Sequence, residues 1–230
     1  WTDLSDEGND GTPTNATETI LLPEGTTSGK DILGFPLTHT NNGWLNFDAN
    51  QVNDSEETTP YVLCLFPSGS PLDLTQLFTI EAWVKIDKEG NKNYIAGNWV
   101  GSDRGWYLSL SNNSPPKLSF TWTTDGGWGT QVSKSTSSGI SNLAGNWRHI
   151  VCIYNMGVVS FYVDTVAQSI TTPDQYAGQT IWSARNLTIG RGYAYWEGIK
   201  GQLDEVRIYN RALSATEITK NYKHGLGKHS

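Results

Sequence analysis

The chain has 230 residues, a formal net charge of −7 and a sequence pI near 5.0, which excludes the clustered Lys and Arg by which proteins hold nucleic acid or anionic membranes. Only 17% of the residues are charged, and no stretch approaches the roughly 20 apolar residues of a spanning helix, so neutral partners and no membrane insertion are expected. The opening WTDLSDEGND has neither the basic start nor the apolar run of a secretory signal, and the chain reads as a soluble, excised or mature module from an extracellular or cell-surface setting.

Residues 1 to 60 are polar and irregular, most loop-like in NDGTPTNATETI and NDSEETTP. GWLNFD (43–48) and YVLCLF (61–66) nevertheless have strand character and need a sheet to bury them, so one domain over 1–230 is expected. Seven clearer strand signals follow: TIEAWVKI (79–86), GWYLSLS (105–111), KLSFTWTT (117–124), WRHIVCIYN (147–155), VVSFYVDT (158–165), NLTIG (186–190) and GQLDEVRIYN (201–210). Each is rich in aromatic and β-branched residues and bounded by Gly, Pro, Asn or Asp, the spacing of an antiparallel sandwich. In VVSFYVDT, Val159, Phe161 and Val163 alternate with Ser160, Tyr162 and Asp164, as a half-buried strand requires. YNMGVV predicts a hairpin in which Gly157 takes positive φ, while 91–106 and 121–146 read as loops. LSATEITKNYKHG predicts a short C-terminal helix: Ser214 as N-cap, Glu217 completing a capping box, Ile218 and Tyr222 on one face, and Gly225 as the stop.

The two cysteines, Cys64 and Cys152, lie in apolar runs with no CxxC or adjacent histidine, which leaves buried free thiols and a disulfide both open. Four N-x-S/T triplets, beginning at Asn15, Asn53, Asn112 and Asn186, are what chance yields in a chain rich in Asn, Ser and Thr. His39, His149, His224 and His229 are scattered, no Ser or Cys sits in a G-x-S-x-G context, and His149 in mid-strand is a structural residue.

An ordered set of segments resembles the laminin-G-like branch of the concanavalin A-like lectin and glucanase superfamily. They are DLSDEGNDGT (3–12), GWLNFDAN (43–50), FTIEAWVKI (78–86), GNWRHIVCIYN (145–155), SFYVD (160–164), NLTIGR (186–191) and GQLDEVRIYNRALSATEI (201–218). The resemblance implies an all-β jelly-roll sandwich of two curved antiparallel sheets, and binding more often than catalysis. One departure falls in YVDT, where a Gly commonly follows the Asp and here Thr165 stands. Enzymes of that superfamily carry carboxylates as E-x-D-x-x-E, and retention needs two of them about 5–5.5 Å apart. QLDEVR is the nearest stretch, but its Asp204 and Glu205 are adjacent, and adjacent strand residues point to opposite faces.

The resemblance also implies one structural calcium, which takes six to eight hard oxygens. Asp204 is the first candidate ligand, with Asp3, Asn9 and Asp10 of the N-terminal turn; the alternative for Asp204 is hydrogen bonding to backbone N–H groups. Of the ten tryptophans most must serve the fold, and Trp44, Trp83, Trp106, Trp147 and Trp196 are expected in the core. Trp122 belongs to a strand and is expected to be buried. Trp99 in GNWVGSDRG, Trp128 in DGGWGTQ and the alternating Tyr193 and Tyr195 remain as a ligand face, with Arg104 beside Trp99 to meet hydroxyls; Trp128 either projects or folds over its loop, and Trp182 is left without a role. The function these residues suggest is a non-catalytic, calcium-supported carbohydrate-binding module whose partner is a polysaccharide or glycan. The alternatives are a protein-interaction or adhesin module of a surface structure and, less favoured, a divergent glycan-cleaving enzyme.

Overall fold

The computed structural model describes residues 11–14, 29–30, 36–37, 45–47, 61–65, 74–100, 103–171, 176–182, 186–192 and 198–229. In chain order the strands are β1 (Gly11–Thr14), β2 (Gly29–Lys30), β3 (Pro36–Leu37), β4 (Leu45–Phe47), β5 (Tyr61–Leu65), β6 (Leu77–Ile86), β7 (Asn93–Val100), β8 (Asp103–Leu110), β9 (Leu118–Trp122) and β10 (Val132–Ser135). β11 (Arg148–Asn155), β12 (Val158–Val163), β13 (Val166–Gln168), β14 (Asn186–Ile189) and β15 (Gly201–Tyr209) follow, and helix α1 (Ala215–His229) ends the chain. They form a jelly-roll sandwich: a seven-stranded sheet ordered β1-β5-β14-β7-β8-β9-β10 and a six-stranded sheet ordered β13-β12-β11-β6-β15-β4, both antiparallel, with β2 and β3 as a separate pair.

Period-two alternation builds the core. Phe78, Ile80, Ala82, Val84 and Ile86 of β6 point inward, against Trp106, Leu108 and Leu110 of β8 and Leu118, Phe120 and Trp122 of β9. Aromatic rings fill the gap between the sheets: Phe78 lies 5.3 Å from Trp106 and 5.4 Å from Tyr154, and Phe120 lies 5.8 Å from Trp122. Trp106 and Trp122 are buried, as expected of them. Cys152 is a free thiol in this core, its pKa pushed up by burial.

The outer face of the six-stranded sheet carries α1. Val151 and Ile153 of β11 meet Leu213 and Ile218 there, and Trp83 of β6 stacks on Tyr222 at 5.4 Å. Buried on both faces, β6 reads as a nearly unbroken apolar run. Its one acid, Glu81, is fully buried and accepts from Arg207 Nη1 at 2.9 Å, the Tyr209 hydroxyl at 2.9 Å and Asn221 Nδ2 at 2.9 and 3.1 Å. His149 Nε2 stands 3.5 Å away. This network ties β6, β11, β15 and α1 together, and His149 has the structural place expected of it.

The capping box forms as predicted: Ser214 N donates to Glu217 Oε2 at 2.8 Å and Glu217 N to Ser214 Oγ at 3.3 Å. Arg211 and the Ser214 donors hold the Glu217 carboxyl down to about 2. Gly225, however, does not stop the helix, which runs on to His229. A Cβ on Gly225 would lie 2.1 Å from Trp83 Nε1, so the residue sits inside the helix to let the helix backbone approach an indole. Trp83 is therefore buried under the helix and not between the sheets. Trp147, expected in the core, is only half-buried and flanks His229 at 4.5 Å. Trp44 and Trp196 lie outside the described residues.

The hairpin at Met156-Gly157 forms with φ of 44° and 85° and pairs Asn155 with Val158, the two-residue turn with both central residues left-handed. The turn at Asp164-Thr165 has the same form, with φ of 48° and 73° and Val163 paired with Val166. Thr165 thus occupies the position where the family resemblance led a Gly to be expected. Two segments read as loops hold strands: β7 within 91–106, and β10 within 121–146. β7 escapes pattern reading because two bulges break its alternation. Asn98 Oδ1 accepts the Trp106 N–H at 2.6 Å, and a Cβ on Gly97 would be 2.6 Å from Trp106 O.

Candidate ligand-binding site

The outer face of the seven-stranded sheet ends in an aromatic corner. Trp106, Leu108, Phe120 and Trp122 point to the core, so Tyr107 and Thr121 face outward. Thr121 Oγ1 and Ser133 Oγ lie 2.9 Å apart across β9 and β10, and Ser119 and Ser135 are joined likewise at 2.7 Å, a row of hydroxyls. At one end of this row Tyr94, Trp99 and Tyr107 form a buried cluster separate from the main core. Trp99 meets Tyr107 edge-on at 5.1 Å.

The loop after β9 returns over this cluster. Asp125 Oδ1 accepts from Gly127 N at 2.7 Å and from the Thr130 hydroxyl, an Asx-type turn that leads into one 3₁₀ turn over Trp128–Thr130. The Thr130 hydroxyl and the Gly127 amide lower the pKa of the exposed Asp125 carboxyl, which stays an acceptor. Trp128 is placed 5.8 Å from Trp99 and remains 55% exposed. The Arg104 guanidinium lies over its ring, 4.4 Å from the centroid, and Nη1 donates to Gly126 O at 3.0 Å. Trp182 is 46% exposed, its backbone N–H donates to Thr123 O at 2.8 Å, and a Cβ on Gly126 would stand 3.1 Å from its Nε1.

Three of the predicted face residues therefore meet: Trp99, Arg104 and Trp128. Trp99 needs correction, because it belongs to β7, is 1% exposed, and braces Trp128 from below in place of offering a face of its own. Trp128 projects and Trp122 is buried. Sequence reasoning left Trp182 without a role; its only signal was an indole in a stretch with no strand alternation, and only the fold brings it beside Gly126. Tyr193 and Tyr195 lie outside the described residues.

The acidic residues behave differently from their pattern. β15 carries a bulge between Asp204 and Arg207, with Glu205 at φ 49°. Leu203 and Val206 both face the core, so Asp204 and Glu205 share the outer side, against the alternation rule. Asp204 Oδ2 stands 3.2 Å from His229 Nε2, and Glu205 pairs with Arg207 at 2.8 Å and Lys228 at 3.1 Å. Burial pushes the Glu205 carboxyl up, but Lys228 and Arg207 outweigh it and the net shift is downward. Asp204 Oδ1 also accepts its neighbour's N–H at 2.7 Å, the backbone role considered for it. Calcium fits the described donors poorly, because an imidazole stands where it needs an oxygen; Asp3, Asn9 and Asp10 lie outside the described residues. Nor are these carboxylates a glycosidase pair, since Asp204 is buried beside the end of α1 and Glu205 is neutralised by two cations.

Similar proteins agree with this architecture. The binding domain of botulinum neurotoxin serotype C1 superposes with a TM-score of 0.65 at 14% identity, over 96% of this chain and 49% of its own. The binding domain of botulinum neurotoxin DC in complex with SialylT gives 0.64 at 14% identity, over 97% and 48%. The same toxin's binding domain in complex with rat synaptotagmin II gives 0.63 at 13%, over 97% and 48%. The chain spans about half the length of these binding domains. No curated protein sequence matches it. Residues 56–219 match Laminin_G_3, and the chain belongs to that family of the concanavalin A-like lectin/glucanases superfamily.

Proposed function

We propose that this chain is a carbohydrate-binding module, a binding domain and not an enzyme, that takes a polysaccharide or glycan at the corner formed by Trp128, Trp182 and Arg104. The observation that carries the reading is Trp128: a large indole, 55% exposed, set in place by Arg104 and Trp99 before any ligand arrives. Indole faces stack on the C–H faces of sugar rings, which releases water from both surfaces. Holding the ring beforehand lowers the ordering cost of binding. The exposed Asp125, whose turn leads into Trp128, and the exposed Gln131, whose backbone N–H donates to Trp128 O at 3.4 Å, are the partners for sugar hydroxyls. An extracellular or cell-surface location fits this ligand class, and among the described residues no helix is long and apolar enough to cross a membrane.

The test is a glycan array probed with the chain and with Trp128→Ala. Specific binding to a glycan class, lost in the variant while the fold persists, supports the reading. A protein-docking role is the second reading, favoured by the same exposed Trp–Arg pair, since Trp and Arg anchor protein interfaces, and by the neighbour bound to synaptotagmin. A blank array with a captured protein partner that Trp128→Ala releases would replace the first reading with the second.

A further inference from the structure

The second cluster, on the opposite side of the sandwich, is a different kind of site. We propose that Asp204, Glu205 and His229 bind a transition-metal ion of the zinc class, which clasps the end of α1 to the bulge of β15. One ligand atom from each of the three residues lies within 4.8 Å of the others.

The group is built and buried. The Asp204 and Glu205 side chains are 8% and 7% exposed and that of His229 is 0%. Indole rings of Trp83 and Trp147 each lie 4.5 Å from the imidazole, an apolar shell of the kind that surrounds metal centres. Among the described residues neither ring nitrogen of His229 has a hydrogen-bond partner, and Asp204 Oδ2 has none either, although that oxygen and Nε2 stand 3.2 Å apart. A close approach without hydrogen-bond geometry is unfavourable for a buried imidazole and carboxylate left to themselves. It suits two ligands of a third atom: tetrahedral zinc, with Zn–N and Zn–O near 2.1 Å, holds its ligands about 3.4 Å apart.

The donor set selects the ion. Imidazole with carboxylate oxygens suits zinc and its neighbours, whereas calcium demands oxygens only. Charge allows it as well. Glu81, Asp204 and Glu205 supply three negative charges, and the ion pairs of the two glutamates bring in Arg207 and Lys228. One negative charge is uncompensated when the histidines are neutral. Lys228 is 57% exposed and can swing to solvent as a cation enters, which frees Glu205 Oε1. Three protein ligands leave a fourth position for water. The bulge at Glu205 has a role in this arrangement, since without it Asp204 and Glu205 would face opposite sides of the sheet.

The test uses the whole chain, stripped of metal and titrated with ZnCl₂ and CoCl₂. Cobalt should produce the visible absorption of a tetrahedral nitrogen and oxygen site. Zinc at about 100-fold above its Kd should raise the melting temperature by roughly 5–10 °C. His229→Phe keeps a ring against the two indoles and removes both nitrogens; it and Asp204→Asn should abolish the cobalt spectrum and the zinc shift, while His224→Ala, on an exposed position, leaves both intact. No cobalt spectrum, a spectrum that survives His229→Phe, or stabilisation by calcium and not by zinc would overturn the proposal. The site is remote from Trp128, so zinc should leave glycan binding unchanged, and failure of either proposal leaves the other standing.

Discussion

Arg104 and Trp128 are 24 residues apart in sequence, yet the guanidinium of one covers the indole of the other at 4.4 Å. A cation over an exposed indole is worth about 0.5–1 kcal/mol, so Arg104 acts on the ligand by fixing the ring. Arg104→Ala should weaken glycan binding by roughly 2- to 5-fold, and Trp128→Ala should weaken it much more. Melting temperature should hardly move in either. Trp99→Ala, by contrast, empties a buried site and should cost about 3–5 kcal/mol of stability. Titration calorimetry and urea unfolding on the three variants separate the ligand surface from its support.

Gly225→Ala reverses the usual sign of a helix substitution. Alanine is about 1 kcal/mol better than glycine in a helix interior, but its Cβ would meet Trp83 Nε1 at 2.1 Å. Either the indole or the helix must shift, and overpacking of this kind costs about 1–3 kcal/mol. Urea unfolding should show a less stable protein, and a more stable one would mean that α1 does not sit on Trp83.

Thr165→Gly should stabilise the chain. At φ 73° a β-branched residue sits in a region it rarely visits, a strain of about 1–2 kcal/mol. Glycine removes the strain and adds about 0.5–1 kcal/mol of unfolded-chain entropy. A modest rise in the denaturation midpoint is expected, and a fall would show that the Thr165 side chain contributes more than its backbone costs.

Acid should destabilise the protein through Glu81. Burial raises its carboxyl pKa, but the imidazole of His149 and hydrogen bonds from Asn221, Arg207 and Tyr209 outweigh burial and leave it below the usual carboxylate value. A depressed folded value means that the contribution is complete above the unfolded pKa and disappears as pH falls through the folded one. Glu81→Gln removes the charge opposite the half-buried Arg207, which keeps its pair with Glu205, and should cost about 1–3 kcal/mol at neutral pH. Urea unfolding from pH 7 to pH 3 should show a shallower loss of stability in the variant than in the parent chain. Equal slopes would place the acid sensitivity elsewhere.

β8, β9 and β12 are legible from the residues alone because side-chain direction follows a period of two, and β6 and β11 because a run rich in apolar and β-branched residues, buried on both faces, needs no alternation. So are the capping box of α1 and the glycine-bearing turn at Met156-Gly157, which depend on neighbours a few positions away. Tertiary contact decided the rest. β7 holds its bulges through a hydrogen bond from the Trp106 backbone to Asn98, so its own residues carry no strand signal and Trp99 looked exposed. Gly225 has the local chemistry of a helix stop, and only Trp83, 142 positions earlier, shows why it is interior. Asp204 and Glu205 face one side because a bulge breaks the alternation, and His229 meets them because α1 lies across β6 and β15. Local steric preferences act over a few residues, whereas exposure, bulge placement and the meeting of distant side chains depend on which surfaces remain once two sheets and a helix have packed.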